Sequence, residues 1–152
     1  MGAVRLVVPG NFPIGCLPIY KTAFQGAPLN EQNCVTELNE FAEYHNKLLQ
    51  EAILKLKQEN PNIVIVYGDY YNAYQDLLRK GKERGYEVKK ACCGIGGKYN
   101  FDLGRMCGGA NVSVCEDVDR HLSWDGIHMT QQSYKHMAAW LIPRFFAQLA
   151  CF

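Results

Sequence analysis

The sequence predicts a single α/β domain built on a parallel sheet, and three neighbouring segments support that prediction. Residues 3–8 (AVRLVV) and 63–67 (IVIVY) are short apolar runs that end at turn residues, a pattern typical of strands buried on both faces. Between them, apolar side chains recur at helical spacing from residue 35 until Asn60-Pro61, where proline ends the helix. The predicted apolar stripe of this helix consists of Leu38, Phe41, Ala42, His45, Leu48, Leu49, Ala52, Ile53 and Leu56. A strand, a long helix and a second strand form a βαβ unit, in which the two strands run parallel.

The remaining segments predict two more helices and a long irregular loop. Residues 70–78 continue as a shorter helix, and the Gly- and Cys-rich residues 81–115 show no regular period. Thr130 is a suitable N-cap for a final helix that extends to about residue 149. The predicted core face of that helix consists of Met137, Ala138, Leu141, Phe145 and Leu149.

The strands found in this way are few for a doubly wound sheet, which usually has five or more. The first of them begins at residue 3, so we expect further strands to precede residue 1. The length suits one domain with its own core, and no linker or repeat divides it. We therefore expect residues 1–152 to form one partial domain.

Charge and hydropathy exclude several kinds of partner. The chain has 16 Lys and Arg residues against 15 Asp and Glu residues, a net charge of +1, so no nucleic-acid partner is predicted. No apolar run reaches the roughly 18 residues of a membrane-spanning helix, so no integral membrane segment is predicted. Nothing in the composition predicts an oligomeric state.

The cysteines indicate an exported protein. Seven cysteines are many for a reducing compartment, and the sequon Asn111-Val112-Ser113 would be used only in a secreted chain. The first residues do not have the pattern of a signal peptide. Both observations agree if the chain is the C-terminal part of a longer secreted protein, which is our expectation.

The stretch SWDGIHMT, residues 123–130, carries the most specific chemistry. It places Asp125 and His128 three residues apart in a Gly-containing turn before the last helix. A histidine can take and return a proton near neutral pH, and a carboxylate can hold the other ring N–H in place. The alternative is that Asp125 closes an Asx-turn and His128 is an ordinary surface residue.

A hydrolytic site also needs a nucleophile, and the chain offers no convincing one. The only serines are Ser113, Ser123 and Ser133, and none lies in a Gly-x-Ser-x-Gly elbow. A cysteine thiolate beside His128 could perform acyl transfer, although most cysteines in a chain of this type form disulfides. The residues therefore offer a candidate acid and base but no convincing nucleophile.

A zinc site is a weaker alternative. Its candidate ligands share one Cys-rich segment and are Cys92, Cys93, Cys107, Cys115 and His121. No C-x2-C pair occurs among them, and adjacent cysteines chelate one tetrahedral ion poorly. We predict neither a metal nor a cofactor.

Four other polar residues have possible roles in a site. Asn11 and Asn100 lie in Gly-containing loops and could donate to an oxyanion, although turn formation explains both more simply. Asp69 follows a strand at the edge where such folds bind ligands, and helix capping explains it equally well. His45 is expected on the buried face of the long helix.

Three stretches of the chain resemble the plant GDSL esterase/lipase family of the SGNH hydrolases. They are VVPGNFPIGCLP (7–18), ACCGIGGKYNF (91–101) and CEDVDRHLSWDGIHMT (115–130), which resembles the last conserved block of the family. The sequence is most similar to the branch of sinapine-esterase-like and acetylajmaline-esterase-like proteins. The resemblance implies the C-terminal part of a flavodoxin-like α/β/α three-layer sandwich whose N-terminal strands are missing from this chain.

The resemblance also implies roles for the acid and the base. It assigns His128 as the general base for an upstream serine and Asp125 as the acid that orients it. The family's Gly-Asp-Ser block, its oxyanion glycine and its Gly-x-Asn-Asp block have no counterpart here, because the PGN of residues 9–11 belongs to a later segment. The implied function is that of a secreted serine carboxylic-ester hydrolase acting on a small-molecule ester or a lipid. The alternative is a truncated, non-catalytic remnant.

A disulfide framework is the last implication of the resemblance. It pairs Cys16 with Cys34 and forms two further bridges among Cys92, Cys93, Cys107 and Cys115, with Cys151 left over. The pairing among those four cysteines stays open, because sequence alone does not determine connectivity.

Overall fold

The computed structural model describes residues 2–149 as an α/β arrangement of four α-helices and six short strands. Two 3-10 turns, at Ile14–Cys16 and Val118–Arg120, join some of these elements. In chain order the elements are β1 (Arg5–Pro9), α1 (Pro18–Ala23), α2 (Thr36–Glu59), β2 (Val64–Gly68), α3 (Tyr70–Glu83), β3 (Glu87–Ala91), β4 (Cys93–Gly94), β5 (Ser113–Val114), β6 (His121–Ser123) and α4 (Gln131–Leu149).

The predicted βαβ unit is confirmed. Strands β1 and β2 pair in parallel, with Leu6 opposite Ile65, and α2 joins them. Helix α2 ends at Glu59, directly before Asn60-Pro61, because Asn60 cannot easily adopt the α conformation in front of a proline. The helix and strand predictions for this half of the chain were therefore correct to within two residues at each end.

The stretch predicted to be irregular contains more regular structure than expected. Helix α3 continues past residue 78 to Glu83, and β3 follows at residues 87–91. Strand β3 pairs in parallel with β6, whereas β4 and β5 form a short antiparallel pair. The four strands are short and mixed in polarity, so they lack the apolar run by which β1 and β2 were found.

The main core lies between α3, α4 and β6. Its fully buried side chains include Tyr74 on α3, Leu122 on β6, and Met137 and Leu141 on α4. Met137 and Leu141 belong to the predicted core face of the last helix, and Thr130 caps it as expected, since its Oγ1 accepts from the backbone N–H of Ser133 at 3.3 Å. The core therefore packs directly behind the stretch that carries Asp125 and His128.

Two predictions of burial were wrong. Strand β1 was expected to be buried, yet Leu6 is 39% and Val7 is 36% exposed, because among residues 2–149 only β2 pairs with it. The predicted apolar stripe of α2 is also largely in solvent, with Phe41 58% and Leu48 45% exposed. Ala42 and Ile53 of the stripe are buried as predicted, and Asn39 and Asn46 complete the buried face of α2.

Within residues 2–149 no helix is both long and apolar enough to cross a lipid bilayer.

Candidate active site

Asp125 and His128 contact each other directly in the turn between β6 and α4. The Oδ2 atom of Asp125 lies 2.7 Å from Nδ1 of His128, the distance of a charge-assisted hydrogen bond. The Asp125 side chain is 15% exposed and the His128 side chain is 66% exposed. An accessible imidazole therefore rests on a mostly covered carboxylate.

The second carboxylate oxygen of Asp125 holds the turn itself. Oδ1 accepts the backbone N–H groups of Ile127 at 2.9 Å and of His128 at 2.7 Å. Such an Asx-turn was the alternative interpretation of Asp125, and the structure combines it with the imidazole contact. One carboxylate thus fixes both the backbone and the ring of His128.

These contacts also determine the ionisation of Asp125. Partial burial acts to raise the pKa of the carboxyl, but the hydrogen bonds from the His128 ring and from the two backbone N–H groups outweigh it. The pKa of Asp125 therefore lies below its usual value. An ionised carboxylate favours the Nδ1–H tautomer of His128, which leaves Nε2 to accept a proton.

Gly126 is required at the tip of the turn. Its φ is +95°, in the left-handed region that side chains rarely adopt, and a Cβ atom at this position would overlap the ring of Phe101. The Gly126 carbonyl accepts the N–H of Ile19 at 3.1 Å, which ties α1 to the turn. The glycine in SWDGIHMT therefore allows both the left-handed backbone conformation and the close approach of the Phe101 ring.

Two adjacent cysteines brace the strand that leads into the turn. The N–H of Cys92 donates to the Ser123 carbonyl at 2.9 Å, and that of Cys93 donates to the Trp124 carbonyl at 2.6 Å. The N–H of Trp124 in turn donates to the His128 carbonyl at 2.8 Å, which closes the turn. Backbone hydrogen bonds thus connect the Cys-rich loop to the candidate catalytic pair.

The structure contains three disulfides. The Cys16–Cys34 bridge confirms the pairing that the resemblance implied. The four remaining cysteines of the expected set pair as Cys92–Cys115 and Cys93–Cys107, which answers the connectivity left open by the sequence. Cys151 lies outside the described residues.

None of the three serine hydroxyls forms a hydrogen bond with the His128 ring, as a catalytic nucleophile would. The Ser123 hydroxyl is buried and bonds to the backbone of the turn, accepting from Gly126 at 3.0 Å. Ser133 is buried at the start of α4, and the Ser113 hydroxyl donates to the Gly94 carbonyl at 3.2 Å. Among the hydrogen bonds of residues 2–149, the His128 ring is joined only to Asp125.

One cluster has the atoms of a metal site but not the chemistry. Cys92, Cys115 and His121 bring their ligand atoms within 4.8 Å of one another. The two sulfurs are bonded to each other in the Cys92–Cys115 disulfide, so neither is a thiolate that could bind a metal. His121 Nδ1 lies 2.9 Å from the Asp117 carbonyl, consistent with a structural hydrogen bond.

The loop asparagines have structural contacts. Asn100 adopts a φ of +51°, and its side-chain amide accepts the N–H of Gly96 and donates to the Ala91 carbonyl. The backbone of Asn11 exchanges two hydrogen bonds with the buried amide of Asn46 on α2. These contacts agree with the simpler interpretation of both residues as parts of turns.

The contacts of the other two polar candidates, Asp69 and His45, lie within or beside their own helices. Asp69 caps α3, since its carboxylate accepts the N–H of Asn72 at 3.1 Å. His45 was predicted to face inward but is exposed, because the adjacent Asn46 occupies the buried face of α2.

Sequence reasoning missed a buried lysine near the site. Lys21 on α1 is 3% exposed; its ammonium lies 4.9 Å from the centre of the Tyr99 ring and donates to the Lys89 carbonyl at 3.3 Å. Burial lowers the pKa of Lys21 to about 8, although the nearby Glu87 acts in the opposite direction. No apolar period marks α1, so nothing in the sequence indicated that this lysine would be enclosed.

Comparison with known proteins assigns the chain to a family. A family model described as GDSL-like lipase/acylhydrolase matches residues 1–141. A GDSL esterase/lipase of Arabidopsis thaliana is 47% identical over 153 residues, which cover 99% of this chain and 47% of the relative. Acetylajmalan esterase 2 of Rauvolfia serpentina is 41% identical over 152 residues, which cover 99% of this chain and 42% of that relative.

The chain therefore spans less than half the length of these curated relatives. The match confirms the family that the three sequence stretches indicated, and acetylajmalan esterases are among the relatives found. The chain belongs to the GDSL-like lipase/acylhydrolase family.

Proposed function

We propose that the chain is the C-terminal part of a secreted serine carboxylic-ester hydrolase and supplies the catalytic acid and base. The observation that carries this proposal is the 2.7 Å contact between Asp125 and the exposed imidazole of His128. Family membership supports ester hydrolysis as the reaction, because the relatives are named esterases and lipases. The substrate would be a small-molecule ester or a lipid.

The proposed mechanism uses His128 as a shuttle for one proton. Nε2 accepts the proton of a serine hydroxyl from an upstream Gly-Asp-Ser block as the serine oxygen attacks the ester carbonyl. The imidazolium then gives the proton to the departing alcohol, which leaves an acyl-enzyme. In the second half, His128 takes a proton from water and returns it to the serine, and the carboxylic acid is released. Asp125 stays ionised throughout and stabilises the imidazolium.

We further propose that residues 1–152 form one partial domain of a flavodoxin-like three-layer sandwich. The parallel pairing of β1 with β2 and the crossover helix α2 support this proposal. The exposed apolar side chains of β1 agree with a sheet that continues beyond this strand in the complete protein. An experimental structure of a chain extended at its N-terminus would test whether further parallel strands continue this sheet.

Secretion is also part of the proposal. The three disulfides are typical of an oxidising compartment. Asn111 of the sequon is exposed and adopts a φ of +59° at a loop turn, so it is accessible for glycosylation. A mass shift on enzymatic deglycosylation of the protein from a plant secretion system, absent in Asn111→Gln, would support both points.

Restoring the upstream half provides the decisive experiment. We expect the extended protein to hydrolyse a short-chain p-nitrophenyl ester, and His128→Ala to lower kcat by a factor on the order of 10⁴. His45→Ala is the matched control, because it removes an exposed imidazole from α2 and should leave kcat unchanged. Near-normal turnover in His128→Ala would overturn the assignment.

The chain by itself allows a complementary test. A labelled organophosphonate reacts covalently with an activated serine. Because Ser123 and Ser133 are buried and Ser113 bonds to the Gly94 carbonyl, residues 1–152 alone should remain unlabelled. Labelling of this chain would show that it contains its own nucleophile.

A further inference from the structure

A groove between α3 and α4 has the composition of a ligand site. Its volume is about 370 Å³, which falls within the range of small-molecule pockets. Residues of α3 form one wall, residues of α4 form the other, and Tyr86 lies at one end. The side chains that decide its chemistry are Lys80, Arg84, Tyr86, Trp140 and Arg144.

The groove is positively charged after its internal ion pairs are considered. Its one carboxylate, Asp76, is held by Lys80 at 2.7 Å and by Arg79 at 2.6 Å. Within residues 2–149, Arg84 and Arg144 form no ion pair with any carboxylate. Two guanidinium groups therefore face a concave site with their charges uncompensated.

Arg144 is held in place by contacts that leave its charge available. Its guanidinium stacks over the Trp140 ring at 3.7 Å, and its Nη1 donates to the Trp140 carbonyl at 2.5 Å. A cation fixed in this way loses little conformational entropy when it binds an anion. The planar guanidinium also matches the geometry of a carboxylate, which it can bind through two parallel hydrogen bonds.

Aromatic side chains supply the rest of the binding surface. Trp140 and Tyr86 are both half-buried and both line the groove. Such rings bind other planar rings by offset or edge-to-face packing. Because the Arg144 guanidinium covers one part of the Trp140 ring, a ligand ring would pack against the ring surface of Trp140 and Tyr86 that stays open to the groove. An anion without a ring would not use that surface, whereas a neutral ring would leave the guanidinium charges without a partner.

We propose that this groove binds a small aromatic carboxylate. The ligand's ring packs against Trp140 and Tyr86, and its carboxylate accepts hydrogen bonds from Arg84 and Arg144. This site is independent of the proposed ester hydrolysis, since none of its lining residues belongs to the Asp125–His128 pair.

Titration with benzoate, monitored by NMR at the indole N–H groups, tests the proposal on the chain itself. We expect a saturable shift of the Trp140 signal with a dissociation constant on the order of 1 mM, as is usual for a ligand of this size. Trp124 lies in the Asp125–His128 turn, so its signal should stay in place and serves as an internal reference.

Three probes separate the contributions of ring and charge. Benzamide keeps the ring without the charge, and inorganic phosphate keeps a charge without the ring. Each should bind at least about tenfold more weakly than benzoate if both contacts contribute. Equal binding of benzamide or of phosphate would overturn the proposal.

Two arginine variants and a matched control locate the site. Combined Arg84→Gln and Arg144→Gln should weaken benzoate binding by about tenfold or more, and Arg144→Lys should weaken it less, because the charge remains. Arg105→Gln removes an exposed arginine outside the groove and should change nothing. Because Arg84 and Arg144 are exposed, these variants should keep the fold, which unchanged signals elsewhere in the spectrum would verify. An equal loss in Arg105→Gln would indicate unspecific charge binding and contradict the proposal.

Discussion

Residues 87–130, the disulfide lobe, are held by two disulfides and by backbone hydrogen bonds, although Leu103 and Val114 are exposed there. Strand β1 and the outer side of α2, the open face, contain no disulfide cysteine and leave apolar side chains in solvent. In the lobe, two disulfides and the N–H groups of Cys92 and Cys93 fix the strand that leads into the Asp125–His128 turn. On the open face, Leu6, Phe41 and Leu48 are each more than a third exposed.

The difference shows that the candidate catalytic pair does not depend on the open face for its geometry. The hydrogen bonds that hold the turn come from β6, the Cys-rich loop, α1 and, through the Tyr134 hydroxyl, α4, and the Phe101 ring packs against Gly126. The contact between Asp125 and His128 is therefore already formed in a chain that spans less than half the length of its relatives. Substitutions in the disulfide lobe should consequently change the free energy of unfolding and the surroundings of His128 more than substitutions on the open face.

Removal of the Cys92–Cys115 bridge should produce the largest effect. Cys92→Ala/Cys115→Ala should lower the free energy of unfolding by about 3 kcal/mol, chiefly because the unfolded chain gains freedom. It should also change the NMR signals of the His128 ring, because the Cys92 N–H supports the strand before the turn.

The Cys16–Cys34 bridge is a matched control for that effect. It closes a loop of similar length, with a sequence separation of 18 against 23, so its removal should cost about the same free energy. It lies outside the disulfide lobe, so the His128 signals should be preserved. Equal disturbance of those signals in both double variants would argue against a specific brace.

The free energy of unfolding should depend on pH through Lys21, by an amount similar to the cost of removing the Cys92–Cys115 bridge. Its pKa is about 8 in the folded chain and 10.5 when unfolded, so the unfolded chain binds more protons between these values and stability rises with pH. The gain should approach roughly 3 kcal/mol at full deprotonation. It should be absent in Lys21→Met and retained in Lys55→Met, whose lysine side chain is 77% exposed.

Denaturant unfolding between pH 7 and pH 11 would measure this difference. Parallel stability curves for the natural chain and Lys21→Met would show that Lys21 is charged and solvated in the folded protein. The burial argument would then be wrong.

Gly126→Ala should have a smaller but still clear cost. A positive φ costs a residue with a side chain about 1–3 kcal/mol, and the overlap with Phe101 adds to it. Gly108→Ala is the control, because Gly108 also has a positive φ, +88°, but open space around its Cβ position. The difference between the two unfolding free energies isolates the contact with Phe101, and no difference would show that the ring simply moves aside.

The sequence predicted those parts of the fold and site that depend on neighbours along the chain. Asp125 and His128 are three residues apart, so a turn suffices to bring them together, and α2 and α4 follow from their helical periods. The β3–β6 pair was missed because its strands are short and mixed in polarity, whereas the more widely separated β1 and β2 each contain an apolar run. Disulfide pairing, the burial of Lys21 and the α3–α4 groove depend on contacts between distant segments that no local pattern marks.

Periodicity alone also misjudged which side of α2 is buried. Phe41 and Ala42 both belonged to the predicted apolar stripe, yet Phe41 is 58% exposed and Ala42 is 0% exposed. Small and amide side chains face the rest of the protein because the backbone of residues 11–15 approaches closely, with Asn39 accepting from Gly15 and Asn46 accepting from Asn11. A hydrophobicity scale cannot indicate that polar side chains will form the contact.

The smallest effect should come from Phe41→Asn, and Ala42→Asn at the adjacent position is its matched contrast. Phe41→Asn should change the free energy of unfolding by no more than about 0.5 kcal/mol, because the side chain is mostly in solvent. Ala42→Asn should cost at least about 2 kcal/mol, since it places a larger polar side chain in a filled space. Thermal or denaturant unfolding of the two variants would measure both. A cost for Phe41→Asn as large as that for Ala42→Asn would mean that the open face is covered in solution, and the contrast between the two regions would then fail.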